Sequence, residues 1–458
     1  MVGIEKLPKA FSVSFQDLTL WNVGAQFKAK WGWPSEVLKP LSDVLVRRID
    51  PLENNTSPNF LVTLLTIHFD GSIETRNPVP RKTIKGKLFK VFPGDVVFSK
   101  IDVRNGAIAL VPEGIENCCV TSEFPVYSVN TELAIPQYIK LLFRTKAFMR
   151  ILNSMISGAS GRKRIQPSQL ESVEIPIPRL DIQHKIIKHW GKSETTRISL
   201  INQIVSMRSA ADNCLLKALG IKIPLPKPLR GVVIQSWKKY ERWDTFFYRP
   251  DFLELECQFD NLNVALFSDI AHVSSRPWKR SDFPSGKFRY IEISSVSKDH
   301  GIRNVKDVMI NNAPSRATTL VKEGDLIIST TRPYLGAFAI VDKSYDSCVC
   351  SSGFALIDYV NEKVINKNFL LAFLKSQAGL RQFERRMTGG LYPAIVKDEL
   401  MKIKVPIVLM DTQEKILIKI QEVESIINEK NRNATRLKKK TKTEIEDMIL
   451  GLRPVEGI

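Results

Sequence analysis

Two short segments of this chain hold basic and polar side chains between matching small residues. Residues 99–106 and residues 329–336 both begin with serine and end with glycine, and they differ at every position between. Arginine and lysine can hydrogen bond to guanine, and asparagine to adenine, in the major groove, whereas phosphate contacts only position a protein. The candidates for such contacts are Lys100, Arg104, Asn105, Arg332 and Tyr334. The alternative, that Arg104 and Arg332 are solvated turn charges, carries equal weight.

Two further loops have the composition of nucleic-acid contacts. In the first, glycine and serine flank three consecutive basic residues, so that the backbone can approach a phosphate closely. A shift of 230 residues aligns the first of these basic residues with a tyrosine of a second glycine-rich loop. The third loop interleaves an aromatic residue with basic ones, although a lone tryptophan is more often a core residue. These candidates are Arg162, Lys163, Arg164 and Tyr392, followed by Arg276, Trp278, Lys279 and Arg280.

Enzymatic chemistry finds little support in the motifs. Residues 77–80 and 312–315 lack the second proline or the aromatic residue of a methyltransferase motif, and both predict turns. The six cysteines form no CxxC pair, and no phosphate-binding G-x-x-x-x-G-K-[ST] loop is present. Asp251, Glu254 and Glu256 resemble a nuclease motif without its lysine, and a solvated helix face is the preferred interpretation. We therefore expect no catalytic, metal-binding or cofactor-binding residues, and the buried cysteines to pack as small apolar side chains.

An internal repeat positions these loops. A Gly-Asp word at residues 94–95 recurs at residues 324–325, and the word Asp-x-Gln-x-Lys-Ile at residues 181–186 recurs at residues 411–416. Both recurrences have a shift of 230 residues, and we expect this register to hold without a gap over residues 93–186. A unit of this length can have its own core, so the sequence predicts two tandem copies of one domain.

The bulk composition indicates a folded protein with a polyanionic partner. The 458 residues are 43% hydrophobic and carry a formal net charge of +19, which favours phosphate contacts. No leader-like start and no stretch of about 18 apolar residues is present, so we expect no membrane association and a cytoplasmic location.

Each copy ends in a segment without proline that predicts one long helix. Asp181 and Asp411 are expected N-caps, and Gly220 and Gly451 stand where a helix would stop. Apolar residues recur at steps of four and three in the second segment, as in a coiled-coil seam, and less regularly in the first. About forty helical residues span about 60 Å. Antiparallel pairing of the helices would cover both apolar stripes; the alternative is that each helix packs on its own domain. The seam positions are Ile416, Ile420, Val423, Ile427, Ala434 and Leu437, and in the first segment Ile182, Ile186, Trp190, Ile201, Val205 and Leu215.

The order, spacing and duplication of these words resemble the specificity subunit of type I restriction-modification systems, over nearly the whole chain. The resemblance implies a non-catalytic subunit that binds double-stranded DNA, with two target recognition domains that each read one half of a bipartite sequence. It implies that the paired helices set the spacer between half-sites and dock two methyltransferase subunits. Those partners bind S-adenosylmethionine and methylate adenine, and a motor-nuclease restriction subunit can join.

The predicted fold is therefore α+β, with two tandem α/β target recognition domains, each followed by a long helix. The two helices pair as an antiparallel coiled coil with pseudo-twofold symmetry. The expected boundaries are residues 1–180 and 221–410 for the recognition domains, 181–220 for the first spacer helix, and 411–458 for the second helix and tail. Two alternatives remain for function: a degenerate DNA methyltransferase or nuclease, and a coiled-coil scaffold that reads no sequence.

Overall fold

The computed structural model describes residues 31–53, 60–115, 118–155, 164–227 and 240–455. The chain forms two compact units. Unit 1 comprises Met1–Leu200 together with Arg432–Ile458, and unit 2 comprises Ile201–Asn431. Each long helix therefore begins in one unit and ends in the other.

Unit 1 combines short strands with helices at its carboxyl-terminal side. Its strands are β1 (Leu38–Pro40), β2 (Leu45–Arg48), β3 (Leu61–Ile67), β4 (Ile73–Thr75), β5 (Val79–Pro80), β6 (Leu88–Val91), β7 (Val96–Phe98), β8 (Ile108–Leu110), β9 (Cys118–Thr121), β10 (Val126–Val129) and β11 (Glu174–Pro176). Its helices are α1 (Leu41–Val44), α2 (Pro136–Leu142), α3 (Lys146–Ser154), α4 (Pro167–Glu171) and the first part of α5 (Leu180–Ala218).

Two main sheets of unit 1 share a central strand region. One sheet has the order β2-β10-β7-β8; the other has the order β4-β3-β9-β6, with β5 also on β3; and β1 pairs with β11. Strand β7 separates two cores, because side chains alternate along a strand. Val96 and Phe98 pack with the helices, whereas Val97 packs with the second sheet.

Unit 2 repeats this arrangement. Its strands are β12 (Val264–Leu266), β13 (Ala271–Ser274), β14 (Lys287–Ile291), β15 (Val296–Ser297), β16 (Gly301–Ile302), β17 (Lys306–Met309), β18 (Ala317–Leu320), β19 (Leu326–Ser329), β20 (Phe338–Ile340), β21 (Val349–Ser351), β22 (Phe354–Val360) and β23 (Lys404–Pro406). Its helices are the last part of α5, α6 (Pro250–Asp260), α7 (Phe267–Ile270), α8 (Lys367–Lys375), α9 (Gln377–Arg386), α10 (Lys397–Met401) and the first part of α11 (Met410–Leu450).

The sheets of unit 2 match those of unit 1 strand for strand. The order β13-β22-β19-β20 corresponds to β2-β10-β7-β8, and the order β17-β14-β21-β18 corresponds to the second sheet. The parallel pair β3 and β9 recurs as β14 and β21. Cys118 and Cys348 occupy these central strands, where burial raises the pKa of each thiol. Their expected role as small buried side chains is confirmed.

The expectation of a gapless register between the copies is wrong in one stretch. Strand β22 contains a bulge, because His272 pairs with Tyr359 whereas Val273 pairs with Ile357. The extra residue shifts the following helices to an offset of 231 residues, so that Thr145, the N-cap of α3, corresponds to Ser376, the N-cap of α9. The offset returns to 230 at β11 and β23.

A buried glutamine ties each long helix to its own unit. Gln183 and Gln413 are fully buried, and each amide oxygen accepts a backbone N–H at 2.8 Å, from Ile135 and Asn366 respectively. Each amide nitrogen donates to two backbone carbonyls of the same unit. The repeated Asp-x-Gln-x-Lys-Ile word is thus a structural clamp.

The ends of the long helices are close to those expected. The helices begin at Leu180 and Met410, so Asp181 and Asp411 are not N-caps but lie in the first turn, where the helix dipole favours a carboxylate. Gly220 and Gly451, both with positive φ, follow the helix ends. Glycine adopts this left-handed conformation without strain, so both act as C-terminal stops.

Helices α5 and α11 pack antiparallel. In unit 1, His189 Nε2 lies 3.0 Å from Glu444 Oε2, and in unit 2, Lys430 Nζ donates to Gln203 Oε1 at 2.7 Å. The partner of a residue 14 positions further along α5 thus lies 14 positions earlier in α11. The predicted α+β architecture with paired helices is confirmed.

The seam of α11 is as predicted, but that of α5 is partly wrong. Ile416, Ile427 and Ala434 are buried in α11, and its other predicted seam residues are half-buried. In α5, Ile204 is buried, whereas Ile201 and Val205 are exposed. Spacing counted from Trp190 had placed the stripe on the wrong side of Ile204.

Candidate nucleic-acid interface

The repeated Gly-Asp word builds the turn that starts a central strand. Gly94 and Gly324 have φ of +86° and +85°, which favours glycine. The carboxylates of Asp95 and Asp325 accept the backbone N–H groups of Phe92 and Lys322 at 2.8 and 2.7 Å. Arginines then pair with these buried carboxylates, Arg48 with Asp95 and Arg276 with Asp325.

At the other end of this strand, three chain segments meet in the same way in both units. In unit 1, the backbone N–H of Lys100 donates to Glu123, and its carbonyl accepts the N–H of Ile165, at 3.1 and 2.9 Å. In unit 2, Thr330 makes the equivalent bonds to Gly353 and Ile395, both at 2.8 Å. The two candidate frames therefore have one backbone scaffold and different side chains. We call these places the unit 1 and unit 2 loop surfaces.

The unit 2 loop surface brings Arg332 and Tyr392 together. Arg332 has φ +46°, donates its backbone N–H to Pro393 at 2.7 Å, and places its guanidinium carbon 5.3 Å from the centre of the Tyr392 ring. Tyr392 is 74% exposed and the neighbouring Leu391 is 87% exposed. Tyr334 is also exposed, in the one-turn helix that follows Arg332. A cation beside an exposed ring can donate to a base edge while the ring stacks or packs on it.

The unit 1 loop surface is more polar. Lys100 Nζ donates to the carbonyl of Ser122 at 2.7 Å, and Arg164 pairs with Glu123 at 3.4 Å. Asn105 is exposed, and its amide nitrogen lies 3.4 Å from Asp102 Oδ1. Arg104 is half-buried, and its Nε has no hydrogen-bond partner in the part of unit 1 that is described. Arg162 and Lys163 lie outside the described residues.

The third candidate loop divides into structural and exposed residues. The guanidinium of Arg276 is held by Asp325, at the end of β19 opposite to Arg332. Trp278 donates its indole N–H to the Ala317 carbonyl at 2.7 Å and packs against Phe283 and Phe288 in a small core. Lys279 and Arg280 are exposed, and Arg280 donates to the side-chain oxygen of Asn311 at 3.0 Å.

Arg144 and Lys375, which support the loop surfaces, were missed by the sequence reasoning. The Arg144 guanidinium donates to the carbonyls of Phe69, Gly106 and Ile108, and so holds the end of the unit 1 frame. Burial lowers the pKa of Arg144. Lys375 is equivalent to it at the 231-residue offset, and burial lowers its pKa to about 8, opposed by Glu424 and Asp299. Neither residue follows a motif, and the bulge hides their equivalence.

The supposed nuclease-like residues are structural. Asp251 is 2% exposed, and its carboxylate pairs with Arg249 at 2.6 Å and Arg381 at 2.9 Å. The expectation of a solvated helix face is therefore wrong at this position, because two arginines neutralise a buried carboxylate. Within the described ranges, no group of three or more His, Cys, Asp and Glu could hold a metal ion. In those ranges, no helix has the length and apolar character needed to cross a membrane.

The fold and the loop surfaces define a class of two-unit α+β proteins whose long helices pair antiparallel. The family model described as type I restriction modification DNA specificity domain matches residues 72–205 and 263–438. These residues make up more than half of the chain, and the chain belongs to this family.

Relatives and a solved structure agree with this assignment. The chain is 21% identical over 393 residues to the type I restriction enzyme MjaVIII specificity subunit of Methanocaldococcus jannaschii, covering 82% of this chain and 85% of that subunit. It is 30% identical over 138 residues to the HindI specificity subunit of Haemophilus influenzae, covering 30% of this chain and 27% of that subunit. A chain from a structural study of complex assembly and conformational transition of the type I R-M system shares the fold, with a TM-score of 0.53 at 15% identity, covering 90% of this chain and 97% of that one.

Proposed function

We propose that this chain is the DNA-binding specificity subunit of a type I restriction-modification complex. It reads a bipartite target, one half-site with each unit, and directs adenine methylation and cleavage by partner subunits. The chain itself catalyses no reaction and holds no cofactor. S-adenosylmethionine is bound by the methyltransferase partners, and the complex acts in the cytoplasm.

One observation carries this proposal: two loop surfaces share a backbone scaffold and differ in their side chains. Lys100 and Thr330 make the same backbone hydrogen bonds in the two units. The surfaces beside them are polar in unit 1 and aromatic and cationic, with Arg332 and Tyr392, in unit 2. A duplicated scaffold with different side chains suits the reading of two different half-sites. The net charge of +19 adds the attraction to phosphates that DNA binding needs.

The paired helices offer a place for the partner subunits. Trp190 and Ile198 are exposed on the unit 1 part of α5, and Val205, Ile418 and Ile426 are exposed on the helix parts of unit 2. Exposed apolar side chains on a helix surface commonly mark a protein interface. Such side chains in both units suit the docking of two methyltransferase subunits, and a restriction subunit can join that complex.

Arg332→Ala tests the reading role of unit 2. We expect the variant, assembled with its partner subunits, to lose discrimination at base pairs of one half-site by about 1–3 kcal/mol, because one base contact disappears. Methylation of duplexes that carry single changes in either half-site measures this loss. Lys343→Ala is the matched control, because Lys343 follows β20 at the end of the sheet opposite to Arg332.

Equal loss in both half-sites would contradict the assignment of Arg332 to base reading. Competition binding separates the alternative of a scaffold, which would show no preference among duplexes. Failure of the isolated chain to bind S-adenosylmethionine separates the alternative of a degenerate methyltransferase.

A further inference from the structure

A loop of unit 1 presents three lysines that the proposed reading surface does not include. Lys82, Lys85 and Lys87 belong to residues 81–87, which we call the basic loop, between β5 and β6. All three side chains are exposed. Across the ranges that the structure describes, none of the three ammonium groups has an ion-pair partner. A charge run is usually a solvated face, so a binding role requires a defined shape and a defined position.

Arg81 gives the basic loop a defined shape. Its guanidinium donates to the carbonyl of Ile84 at 2.7 Å and to that of Gly86 at 2.8 Å, so it is spent inside the loop. Thr83 Oγ1 donates to the Pro80 carbonyl at 2.7 Å, and Ile84 packs on the small core beneath the loop. A loop that is ordered by its own hydrogen bonds loses little entropy when it binds a ligand.

The strand pairing places the basic loop beside the unit 1 loop surface. Leu88, the first residue of β6, pairs with Thr121, the last residue of β9. The next residue along that strand, Ser122, accepts the ammonium of Lys100 through its carbonyl. Because neighbouring strands are about 4.8 Å apart, Lys87 and Lys100 emerge from the same end of the sheet.

We propose that the basic loop binds backbone phosphates of double-stranded DNA next to the half-site of unit 1. This inference rests on the proposed function and adds a site to it. Lysine is a compact charge on a flexible stem, which suits a phosphate better than the planar, bidentate recognition of a base. Gly86 leaves open space around its Cα, so a phosphate strand can approach the loop. At the equivalent place in unit 2, the exposed basic residues are Lys279, Arg280 and Arg316, from two different segments.

The test is the salt dependence of binding by the full-length chain to a short duplex of random sequence. The variant replaces Lys82, Lys85 and Lys87 by glutamine. Three lost phosphate contacts reduce the slope of log Kd against log salt by roughly 2 to 3. Between about 50 and 200 mM salt, the affinity of the variant then falls about 40-fold less than that of the unchanged chain.

Two matched variants complete the experiment. Replacing the same three lysines by arginine keeps the charge and should keep the slope. Replacing Lys322, Lys343 and Lys363 by glutamine removes the same charge at the opposite end of the unit 2 sheet, where β19 begins and β20 and β22 end. This control should leave the slope within one unit of the original, and circular dichroism checks that all variants fold.

An unchanged slope in the glutamine variant of the basic loop would overturn the proposal, as would an equal fall in the control. Loss of methylation with an unchanged slope would also overturn it, since the loop would then bind an acidic partner subunit. The proposed function fails separately, if the assembled complex shows no preference among duplexes of different sequence.

Discussion

Replacing Gln413 by leucine tests whether the repeated glutamine clamps its helix to unit 2. The substitution keeps the volume of a fully buried side chain and removes its hydrogen bonds. The N–H of Asn366 loses its acceptor at 2.8 Å, and the carbonyls of Val408 and Val364 lose donors at 2.8 and 3.2 Å.

The magnitude follows from these three groups. A buried donor or acceptor without a partner costs about 1–3 kcal/mol. Asn366 and the two valines are half-buried, so water replaces some of the lost bonds. We therefore expect the free energy of unfolding of unit 2 to fall by about 2–4 kcal/mol, which lowers its Tm by roughly 5–10 °C.

Calorimetry and hydrogen exchange of the full chain measure this effect. Peptides near residues 364–376 should exchange faster, because the start of α8 loses its anchor. Gln183→Leu is the matched variant, and it should accelerate exchange near residues 133–145 of unit 1 instead. An unaltered Tm for Gln413→Leu, or the same exchange pattern in both variants, would refute the clamp.

Two further predictions concern charged groups of unit 2. Arg276→Met should lower the free energy of unfolding by about 2 kcal/mol, because the buried carboxylate of Asp325 loses its ion pair. It should leave the salt slope of DNA binding unchanged, and a lower slope would show that Arg276 contacts phosphate. Lys375→Met should remove a pH dependence, since burial lowers the pKa of Lys375 from 10.5 to about 8. Between these two pH values the unfolded chain holds a proton that the folded chain has released, so the free energy of unfolding rises with pH. Urea unfolding at both ends of this pH range measures the rise, and its persistence in the variant would contradict the role of Lys375.

The repeat made the fold predictable, because its words mark structural joints. The Gly-Asp word recurs as a turn with positive φ and an ion-paired carboxylate, and the glutamine word as a helix clamp. Proline-free segments predicted both long helices. The bulge at Ile357 was not predictable, because a single inserted residue changes no motif.

The candidate site was predictable only in outline. The divergent frames led to Arg332 and Tyr392, which the structure brings together. Charge and aromatic character could not separate Trp278, which packs in a core, from Arg280, which is exposed. The partners of a side chain depend on strand register, and register depends on contacts between distant residues. The basic loop was overlooked because its lysines lie outside the matched frames.

Mapping methylated adenines across the genome of cells with and without this chain tests the central claim most directly. The account predicts that one bipartite motif, two fixed half-sites around a spacer of constant length, is methylated only when the chain is present. In cells with Arg332→Ala, bases of one half-site should become degenerate while the other half-site and the spacer persist. An unchanged set of methylated adenines after removal of the chain would contradict the claim that its two units read DNA.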